Sequence, residues 1–400
     1  RKNKYLKTIL ILKIIALIST GIFAILSGFY FASLPISTLV VPVTIILLTD
    51  SLRGFLNTFL RAQEVMEKEA IVTFATNLAI VIFATILVTI QKTPESLALG
   101  YMIGGIIGTS ISFILNIPFI KRTVIEIKKP GNEQLYFKPT LKFILPITLI
   151  TIINTAIANI DSIMLGIWTN SESVGFYATA QRLFQVTLII PNVFISALYP
   201  TLARAYTENR DQFVSFIKKS FNSLFLIGAP IALGGFLLSH KIILFFFGNE
   251  YFSAGNAFAW LIFGIFLIFP ASLFQNIAII TKKQTRIALH TFISLIIAVI
   301  INWILIPRLG VTGAALGTTI AYSLLFFLNL FFFKDLFTFS KKTIYDTVLA
   351  SIGVGIIIWL FYTFHIIIIV ILSSIVYFGI LQLLKNDNLI SLISIIKKTS

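Results

Sequence analysis

Residues 286–306 read RIALHTFISLIIAVIINWILI, and residues 312–333 read TGAALGTTIAYSLLFFLNLFFF. Each run is longer than twenty residues and almost wholly apolar, which is the length that a helix needs to cross the hydrocarbon layer of a membrane. Only residues 307–311 separate the two runs. The pair therefore predicts two successive membrane-spanning helices.

The rest of the chain follows the same pattern. It has 400 residues, of which 58% are hydrophobic and 12% charged, a composition that excludes a soluble globular protein. The apolar runs are continuous rather than alternating, which excludes a transmembrane barrel. We therefore predict an all-α, polytopic membrane protein with twelve visible transmembrane helices. The twelve runs are 8–31, 35–60, 70–90, 96–120, 141–168, 174–200, 219–239, 254–280, 286–306, 312–333, 343–363 and 365–384.

The formal net charge is +16, and the basic residues that produce it are distributed unevenly between the two predicted sides of the membrane. With the N-terminus in the cytoplasm, most of the Lys and Arg residues fall in inner loops, whereas the outer loops hold only Lys92, Lys241 and Arg308. This asymmetry predicts a multi-pass protein of the cytoplasmic membrane with a cytoplasmic C-terminus, in contact with anionic membrane lipid. Nucleic-acid binding is not expected, because it requires a solvent-facing basic surface.

Motifs for bond-making chemistry are missing from the sequence. There is no Cys, and the three His residues are scattered along the chain, so we expect neither a metal site nor a cofactor. A phosphate-binding loop, a zinc-protease helix and a pair of acids in an outer loop are also missing. The sequence therefore favours a transporter over an enzyme.

A weak internal repeat predicts two lobes. Residues 96–100 and 313–317 both begin a helix on the outer side, and small residues recur at every fourth position in each, at an offset of 217 residues. Two parallel repeats of this kind enclose a central path in transporters. We predict an N-terminal lobe at 1–120, a cytoplasmic linker at 121–140, a C-terminal lobe at 141–333, and two extra helices with a tail at 334–400.

Five charged residues lie at least five residues from either end of an apolar run: Lys13, Asp50, Arg53, Asp161 and Arg182. A charge at the centre of a bilayer costs roughly 2.5 to 3.5 kcal/mol on insertion scales, so such residues usually line a polar cavity or a translocation path. Three of the five are basic. The cavity should therefore suit an anion.

Hairpin symmetry arranges these residues in two groups. In the first, Lys13 and Arg53 lie at the same depth, and Asp50 is one turn from Arg53 and can neutralise it. Lys13 alternatively extends to the inner membrane surface. In the second, Asp161 and Arg182 lie level and face each other, either at the cavity or as a structural ion pair. Further polar residues on the second hairpin are Asn154, Asn159, Gln181 and Gln185.

These groups suggest roles in binding phosphate. Lys13 and Arg53 would receive it from the inside, and Arg182 would hold it as the cavity opens outward, because the planar guanidinium group makes two hydrogen bonds to phosphate oxygens. Asp50 or Asp161 would serve as counter-charge, or carry a coupling proton or sodium ion. Outward movement of an anion is also favoured by the membrane potential, so ATP is not required.

The chain resembles polysaccharide-unit flippases of the Wzx type, within the superfamily that also includes multidrug and toxin exporters and peptidoglycan-precursor flippases. The resemblance runs through the middle of the sequence in a consistent order. It is carried by Asn159-x-Asp161-x-x-Met164-Leu165-Gly166, Val174-Gly175-x-Tyr177-x-x-Ala180-x-Arg182, Pro191, Leu198-x-Pro200-x-Leu202-Ala203, Phe247-Gly248-Asn249-Glu250-Tyr251 and Gly310-Val311-Thr312-Gly313-Ala314-Ala315.

The resemblance implies fourteen helices in two pseudo-symmetric lobes around a central cavity that opens alternately to either side. The twelve visible runs would then be helices three to fourteen, in keeping with a chain that begins at Arg1 rather than Met. The implied substrate is a polyprenyl-diphosphate-linked oligosaccharide, flipped from the inner to the outer leaflet. Other polysaccharide-assembly membrane proteins are expected partners.

Two alternatives remain open. An ion-coupled multidrug exporter of the same fold would be expected to have an acidic cavity for cationic drugs, whereas the bases outnumber the acids here. A polysaccharide polymerase or glycosyltransferase of the membrane would need a large outer loop with catalytic residues. The loops of this chain are short.

Overall fold

The computed structural model describes residues 2–30, 37–62, 65–128, 137–337, 340–386 and 388. These residues are helical, with short turns between the helices and no strand among them. The helices are α1 (Lys2–Tyr30), α2 (Val40–Ala62), α3 (Met66–Ile90), α4 (Pro94–Lys128), α5 (Phe137–Trp168), α6 (Ser171–Thr187), α7 (Ile189–Glu208), α8 (Arg210–Leu237), α9 (Ser239–Phe247), α10 (Ala254–Phe263), α11 (Ile265–Ile280), α12 (Gln284–Phe332), α13 (Lys341–Leu360) and α14 (Ile366–Leu383).

The predicted all-α membrane fold is confirmed. By length and apolar composition, ten helices of the described residues can cross a membrane, or eleven if α10 and α11 form one bent span. The difference from the twelve predicted spans lies in α12. A straight helix of its 49 residues would be about 74 Å long, more than twice the thickness of the hydrocarbon layer.

Gly310 divides α12 into two antiparallel halves. Its φ of 53° and ψ of −127° are not helical, and the positive φ is one that glycine adopts without steric penalty. The halves then run side by side, because a Cβ on Gly313 would lie 2.6 Å from the carbonyl carbon of Leu305. The predicted runs 286–306 and 312–333 therefore occupy the two halves of α12.

Two other predicted runs are interrupted. Run 174–200 is divided between α6 and α7 at Leu188, three residues before Pro191. Proline has no amide hydrogen to continue the ladder, and its ring clashes with the carbonyl of the preceding turn. Run 254–280 bends by 50° between α10 and α11, where the hydroxyl of Thr319 donates to the carbonyl of Trp260 at 2.8 Å and competes with the helical hydrogen bond.

The chain forms two compact units, Arg1–Pro146 and Ile147–Ser400, with the boundary inside α5. In the first unit, α4 packs along both α2 and α3. In the second, α8 and α10 to α12 surround an apolar core that includes the fully buried Phe221, Phe274 and Phe326. Helices α13 and α14 pack on α8, and the hydroxyl of Tyr377 donates to the carbonyl of Leu226 at 2.7 Å.

The predicted division into lobes, linker and extra helices remains a prediction. Residues 129–136 of the predicted linker 121–140 lie outside the described residues. On either side of them, α4 continues to Lys128 and α5 begins at Phe137. The flanking helices therefore take up part of the segment that the sequence predicted as a connection.

The internal repeat corresponds to two similar hairpins, one in each unit. Shifted by 217 residues, the turn at 91–93 between α3 and α4 coincides with residues 308–310 of α12. Small residues form the contact in both hairpins. A Cβ on Gly104 would lie 2.7 Å from the backbone nitrogen of Ile80, and one on Gly317 would lie 2.9 Å from Cγ of Asn302. The stripes of small residues therefore permit close helix packing.

A Gly104→Val variant is expected to lower the thermal stability of the protein. The new side chain meets backbone at a distance that real Cβ atoms do not show, and overpacking of this kind costs roughly 1–3 kcal/mol. Melting of the purified protein in detergent measures the effect. Gly355→Val in α13 is the matched control, since no atom lies within 4 Å of its added Cβ. Equal melting temperatures for the two variants would contradict the packing described for α3 and α4.

Candidate functional site

The first group of predicted site residues lies in the first unit, on α1 and α2. Nη2 of Arg53 lies 2.8 Å from Oδ1 of Asp50, so the ion pair predicted from their spacing is present. Lys13 crosses from α1 to donate a hydrogen bond to Oγ of Ser51 at 2.7 Å, and its Nζ lies 5.7 Å from the ring centroid of Phe55. These contacts bring all three predicted residues to the same few turns of α2.

The guanidinium group of Arg53 is only partly satisfied. The side chain of Arg53 is 21% exposed, whereas that of Asp50 is 50% exposed. Asp50 occupies one end of the guanidinium group, and Nη1 at the other end is buried with no hydrogen-bond partner among the described residues. A buried donor without an acceptor costs about 1–3 kcal/mol. Arg53 therefore keeps a donor for which the described residues supply no acceptor.

Sequence reasoning missed the polar residues that fix α2 against α4. The hydroxyl of Ser112 donates to Oδ1 of Asn57 at 2.9 Å, and the hydroxyl of Thr109 donates to the carbonyl of Thr49 at 3.0 Å. Both bonds lie between the helices and hold the face of α2 that carries Arg53. Neutral Ser, Thr and Asn residues in apolar runs were the available signal for these contacts.

The second group centres on Asp161, which is 1% exposed. Its Oδ1 accepts a hydrogen bond from Nδ2 of Asn302 at 2.6 Å. Its Oδ2 accepts from the hydroxyl of Tyr177 at 2.9 Å and from the hydroxyl of Thr318 at 2.6 Å. Because the donors come from α6 and from both halves of α12, Asp161 links three segments of the second unit to α5.

The predicted pairing of Asp161 with Arg182 is wrong. Arg182 is exposed, and it forms no ion pair among the described residues. Asp161 lies opposite Tyr177, and Gln181 donates to the carbonyl of Ala158 at 2.8 Å. The α5–α6 turn therefore lies about two residues earlier than predicted. Arg182 follows Gln181 and points about 100° further around the helix, away from α5.

The remaining predicted polar residues are dispersed. Asn159 is exposed, and its Nδ2 donates to the carbonyl of Thr155 in its own helix at 2.8 Å. Gln181 joins α6 to α5 through its hydrogen bond to the carbonyl of Ala158, and Gln185 is exposed on α6. The side chain of Asn154 lies outside the described residues. The predicted polar cavity residues therefore do not form one cluster within the described part of the second unit.

A separate cavity of about 640 Å³ lies in the second unit, between α5, α11 and α12. None of its described lining residues is charged. The wall includes the phenol of Tyr322. At one end, Oδ1 of Asn329 accepts a hydrogen bond from Nδ1 of His290 at 2.7 Å. Its polar lining residues are Thr151, Ser272, Gln275, Gln284, Thr291, Tyr322 and Asn329.

The described residues contain no group of three His, Cys, Asp or Glu side chains that could hold a metal ion. The residues that come together in both units are instead charge-bearing or neutral hydrogen-bonding groups.

The chain is similar in sequence to two probable flippases and to a multidrug resistance protein. The chain is 25% identical over 171 residues to a probable low-salt glycan biosynthesis flippase, Agl15, of Haloferax volcanii (41% of this chain, 35% of that one). It is 29% identical over 170 residues to a probable lipid II flippase, MurJ, of Helicobacter pylori (40% and 36%). It is also 26% identical over 200 residues to the multidrug resistance protein NorM of Vibrio parahaemolyticus (48% and 43%). Each alignment spans less than half of the relative's own length.

Solved structures share the fold. The lipid II flippase MurJ, in an inward closed conformation, superposes with a TM-score of 0.79 at 18% identity, covering 96% of this chain and 84% of that one. A MATE transporter of Vibrio cholerae, VcmN, gives a TM-score of 0.52 at 14% identity, covering 80% and 78%. At such identities the likeness establishes the fold alone.

Two family models match the chain. One, described as MatE, covers residues 146–304. The other, described as polysaccharide biosynthesis protein, covers residues 1–206, which is more than half of the 400 residues. The chain therefore belongs to the polysaccharide biosynthesis protein family, within the superfamily of multidrug and lipid-linked polysaccharide exporters.

Proposed function

We propose that this protein flips a polyprenyl-diphosphate-linked oligosaccharide from the inner to the outer leaflet of the cytoplasmic membrane. It does so by alternating access and without ATP hydrolysis, and its C-terminus lies in the cytoplasm. The observation that carries the proposal is the half-paired guanidinium group of Arg53, which lies in a membrane-spanning helix with an unpaired buried nitrogen. Family membership and the similarity to flippases support it.

The first unit binds the diphosphate in this proposal. Arg53 presents a planar donor set that matches phosphate oxygens, and Lys13 adds a second positive charge beside the same helix. Asp50 forms the ion pair with Arg53 when no substrate is bound. Its carboxylate is half exposed, so a phosphate group can displace it from the guanidinium group. Between transport cycles, this ion pair lowers the energetic cost of placing the charge of Arg53 within the membrane.

The second unit contributes a further cation and a neutral cavity. Arg182, exposed and without an ion pair among the described residues, holds the phosphate at the outward stage. The cavity of about 640 Å³ offers amide, hydroxyl and phenol groups. Such neutral donors and acceptors suit the hydroxyl groups of sugars, whereas the prenyl chain stays in the lipid.

The driving force is the membrane potential, alone or with an exchanged ion. Moving negative charge outward from a negative interior releases about 2.3 kcal/mol per charge per 100 mV. Asp161 is the candidate for an exchanged proton or sodium ion in the second unit, because its carboxylate is buried among neutral donors with no cation bonded to it among the described residues. Asp50 is the corresponding candidate in the first unit.

A multidrug exporter is the second candidate function. It is favoured by the similarity to NorM and by the match to the MatE model. A membrane polymerase or glycosyltransferase is less favoured, because the similar proteins reported above are named as flippases or as a multidrug resistance protein.

Reconstitution distinguishes these functions. The full chain is placed in liposomes that contain a fluorescent polyprenyl-diphosphate disaccharide in both leaflets, and an external quencher reports exchange between them without ATP. We expect protein-dependent exchange of this lipid and slower exchange of the matching monophosphate. Transport of a cationic dye with no lipid exchange would instead identify a drug exporter and refute the proposal.

An Arg182→Ala variant is expected to slow lipid exchange by about tenfold, since a hydrogen bond to a charged group contributes roughly 1.5–3 kcal/mol. Arg182→Lys should keep most of the rate, because it preserves the charge and loses only the bidentate geometry. The same quenching assay measures both. The control is Arg204→Ala in α7, a basic residue outside the proposed path. Unchanged exchange by Arg182→Ala would remove this residue from the site.

A further inference from the structure

The described walls of the cavity between α5, α11 and α12 are uncharged. The cavity has a volume of about 640 Å³, and every described residue that lines it is apolar or neutral. Residues 146–154 of α5, some of whose side chains lie outside the described residues, are also uncharged in the sequence. The volume is in the range of pockets that bind small molecules, roughly 300–1,000 Å³. A ligand in this cavity therefore finds no charged partner in the described wall.

Three polar side chains of the wall have no hydrogen bond to the described residues. They are Gln275 on α11 and Gln284 and Tyr322 on α12. Amide and phenol groups both donate and accept hydrogen bonds. The rest of the wall is largely apolar, with Phe274 and Leu325 among its residues. A sugar ring has hydroxyl groups at its edge and C–H groups on its faces, so this combination of neutral polar and apolar surface is complementary to an uncharged sugar.

One end of the cavity lies beside the buried carboxylate of Asp161. Tyr322 in the wall is one turn along α12 from Thr318, and residues at this spacing share a face of a helix. The hydroxyl of Thr318 donates to Oδ2 of Asp161 at 2.6 Å. No cation bonds to Asp161 among the described residues. An anion at this end would therefore be repelled by a like charge that water screens only weakly.

Basic residues lie near the other end of the cavity, but they do not line it. That end is formed by Gln284, the first residue of α12, and by Asn329, three residues before its last. Nζ of Lys283 and Cζ of Arg286 lie 5.4 Å and 5.9 Å from the ring centroid of Phe332, so both cations are placed over that ring. The described wall of the cavity is therefore without a cation at this end as well.

The cavity extends inward from the side of the membrane that the basic residues predict to be cytoplasmic. Near this surface, Nδ1 of His290, which does not line the cavity, donates to Oδ1 of Asn329 in the wall at 2.7 Å. Tyr322 lies seven residues from Asn329, about 10 Å deeper along α12 at the rise of an α-helix. The cavity is therefore placed where sugars attached to a lipid of the inner leaflet can enter it.

We propose that this cavity selects uncharged sugars and excludes sugars that bear a carboxylate. The inference rests on the proposed function, and it narrows the class of oligosaccharide that the protein transports. A carboxylate that enters the cavity loses hydration, gains no cation and approaches the carboxylate of Asp161. A hydroxyl or acetamido group instead exchanges its hydrogen bonds to water for hydrogen bonds to Gln275, Gln284 and Tyr322.

Two lipids that differ in one functional group test the proposal. The full chain is placed in liposomes, with no membrane potential imposed, together with a fluorescent polyprenyl-diphosphate disaccharide. The second sugar is either glucose or glucuronic acid, in which a carboxylate replaces the CH2OH group. We expect the glucuronic acid lipid to exchange roughly tenfold more slowly, because a carboxylate without a cation is costly to bury. The uncharged glucuronamide lipid, of the same size, should exchange nearly as fast as the glucose lipid.

A lysine placed in the wall should reverse the selection. Gln275→Lys adds a cation to the cavity, so it should raise exchange of the glucuronic acid lipid relative to the glucose lipid by roughly tenfold. Asn276→Lys, in the same helix but outside the lining residues, is the matched control and should keep the wild-type ratio. Melting in detergent verifies that each variant is folded.

The outcomes separate this inference from the proposed function. Equal exchange of the glucose and glucuronic acid lipids by the wild type would overturn the selection of uncharged sugars and leave the flippase function in place. An unchanged ratio in folded Gln275→Lys would overturn the assignment of that selection to this cavity. No exchange of either lipid would refute the proposed function, and this inference with it.

Discussion

An Asp161→Ala variant is expected to melt far below the wild-type protein. Removal of the carboxylate breaks three hydrogen bonds in the core of the second unit, those from the hydroxyls of Tyr177 and Thr318 and from the amide of Asn302. The hydroxyls keep the bond between them and the bond from Thr318 to the carbonyl of Ala314, whereas the amide of Asn302 loses its acceptor. A hydrogen bond to a charged group contributes about 1.5–3 kcal/mol, so the loss of stability should reach about 3 kcal/mol or more. Thermal melting in detergent and the protein level in membranes measure it.

Two further variants separate structure from coupling at Asp161. Asp335→Ala, at an exposed position after α12, should melt as the wild type does. Asp161→Asn keeps one oxygen to accept from the hydroxyls, but its new NH2 group faces the NH2 group of Asn302, and both are donors. We therefore expect a melting temperature between those of the wild type and Asp161→Ala. If Asp161 carries the exchanged ion, lipid exchange by Asp161→Asn becomes independent of an imposed proton or sodium gradient. Wild-type melting of Asp161→Ala would refute the role of Asp161 as a link between helices.

The second large effect is expected at Arg53. Arg53→Ala should slow exchange of the diphosphate lipid by roughly tenfold to a hundredfold, since a hydrogen bond to a charged group contributes about 1.5–3 kcal/mol. Arg53→Lys should retain part of the rate, because lysine supplies charge without the planar fork. The fluorescence-quenching assay in liposomes measures both, at matched protein levels.

The control for Arg53 lies in the same helix. Arg61 is exposed at the end of α2 and forms a bidentate ion pair with Glu69, at 2.9 Å and 2.8 Å from Nε to the two carboxylate oxygens. Arg61→Ala should therefore leave lipid exchange unchanged. Exchange at the wild-type rate by Arg53→Ala would refute the assignment of the diphosphate to the first unit.

The membrane spans could be predicted from the sequence because they depend on local composition. A run of about twenty apolar residues has few structural alternatives to a spanning helix. The interruptions of the helices were harder to predict from the sequence. The break before Pro191 has a local cause, whereas the bend between α10 and α11 depends on the hydroxyl of Thr319, 59 residues away from the carbonyl that it contacts.

The candidate site was predictable where its contacts are local, or where the depth of two residues in a hairpin decides the contact, as for Lys13 and α2. Asp50 and Arg53 are one turn apart in α2, and their ion pair is present. The partner of Asp161 was misassigned, because similar depth in a hairpin says nothing about which way each side chain points around its helix. Two of its three partners, Asn302 and Thr318, are 141 and 157 residues away in sequence. Whether these residues bind substrate stays a prediction.

The reversal at Gly310 has a consequence for how the protein is made. A turn of so few residues cannot reach across a bilayer, so the two halves of α12 cannot be inserted far apart in time or place.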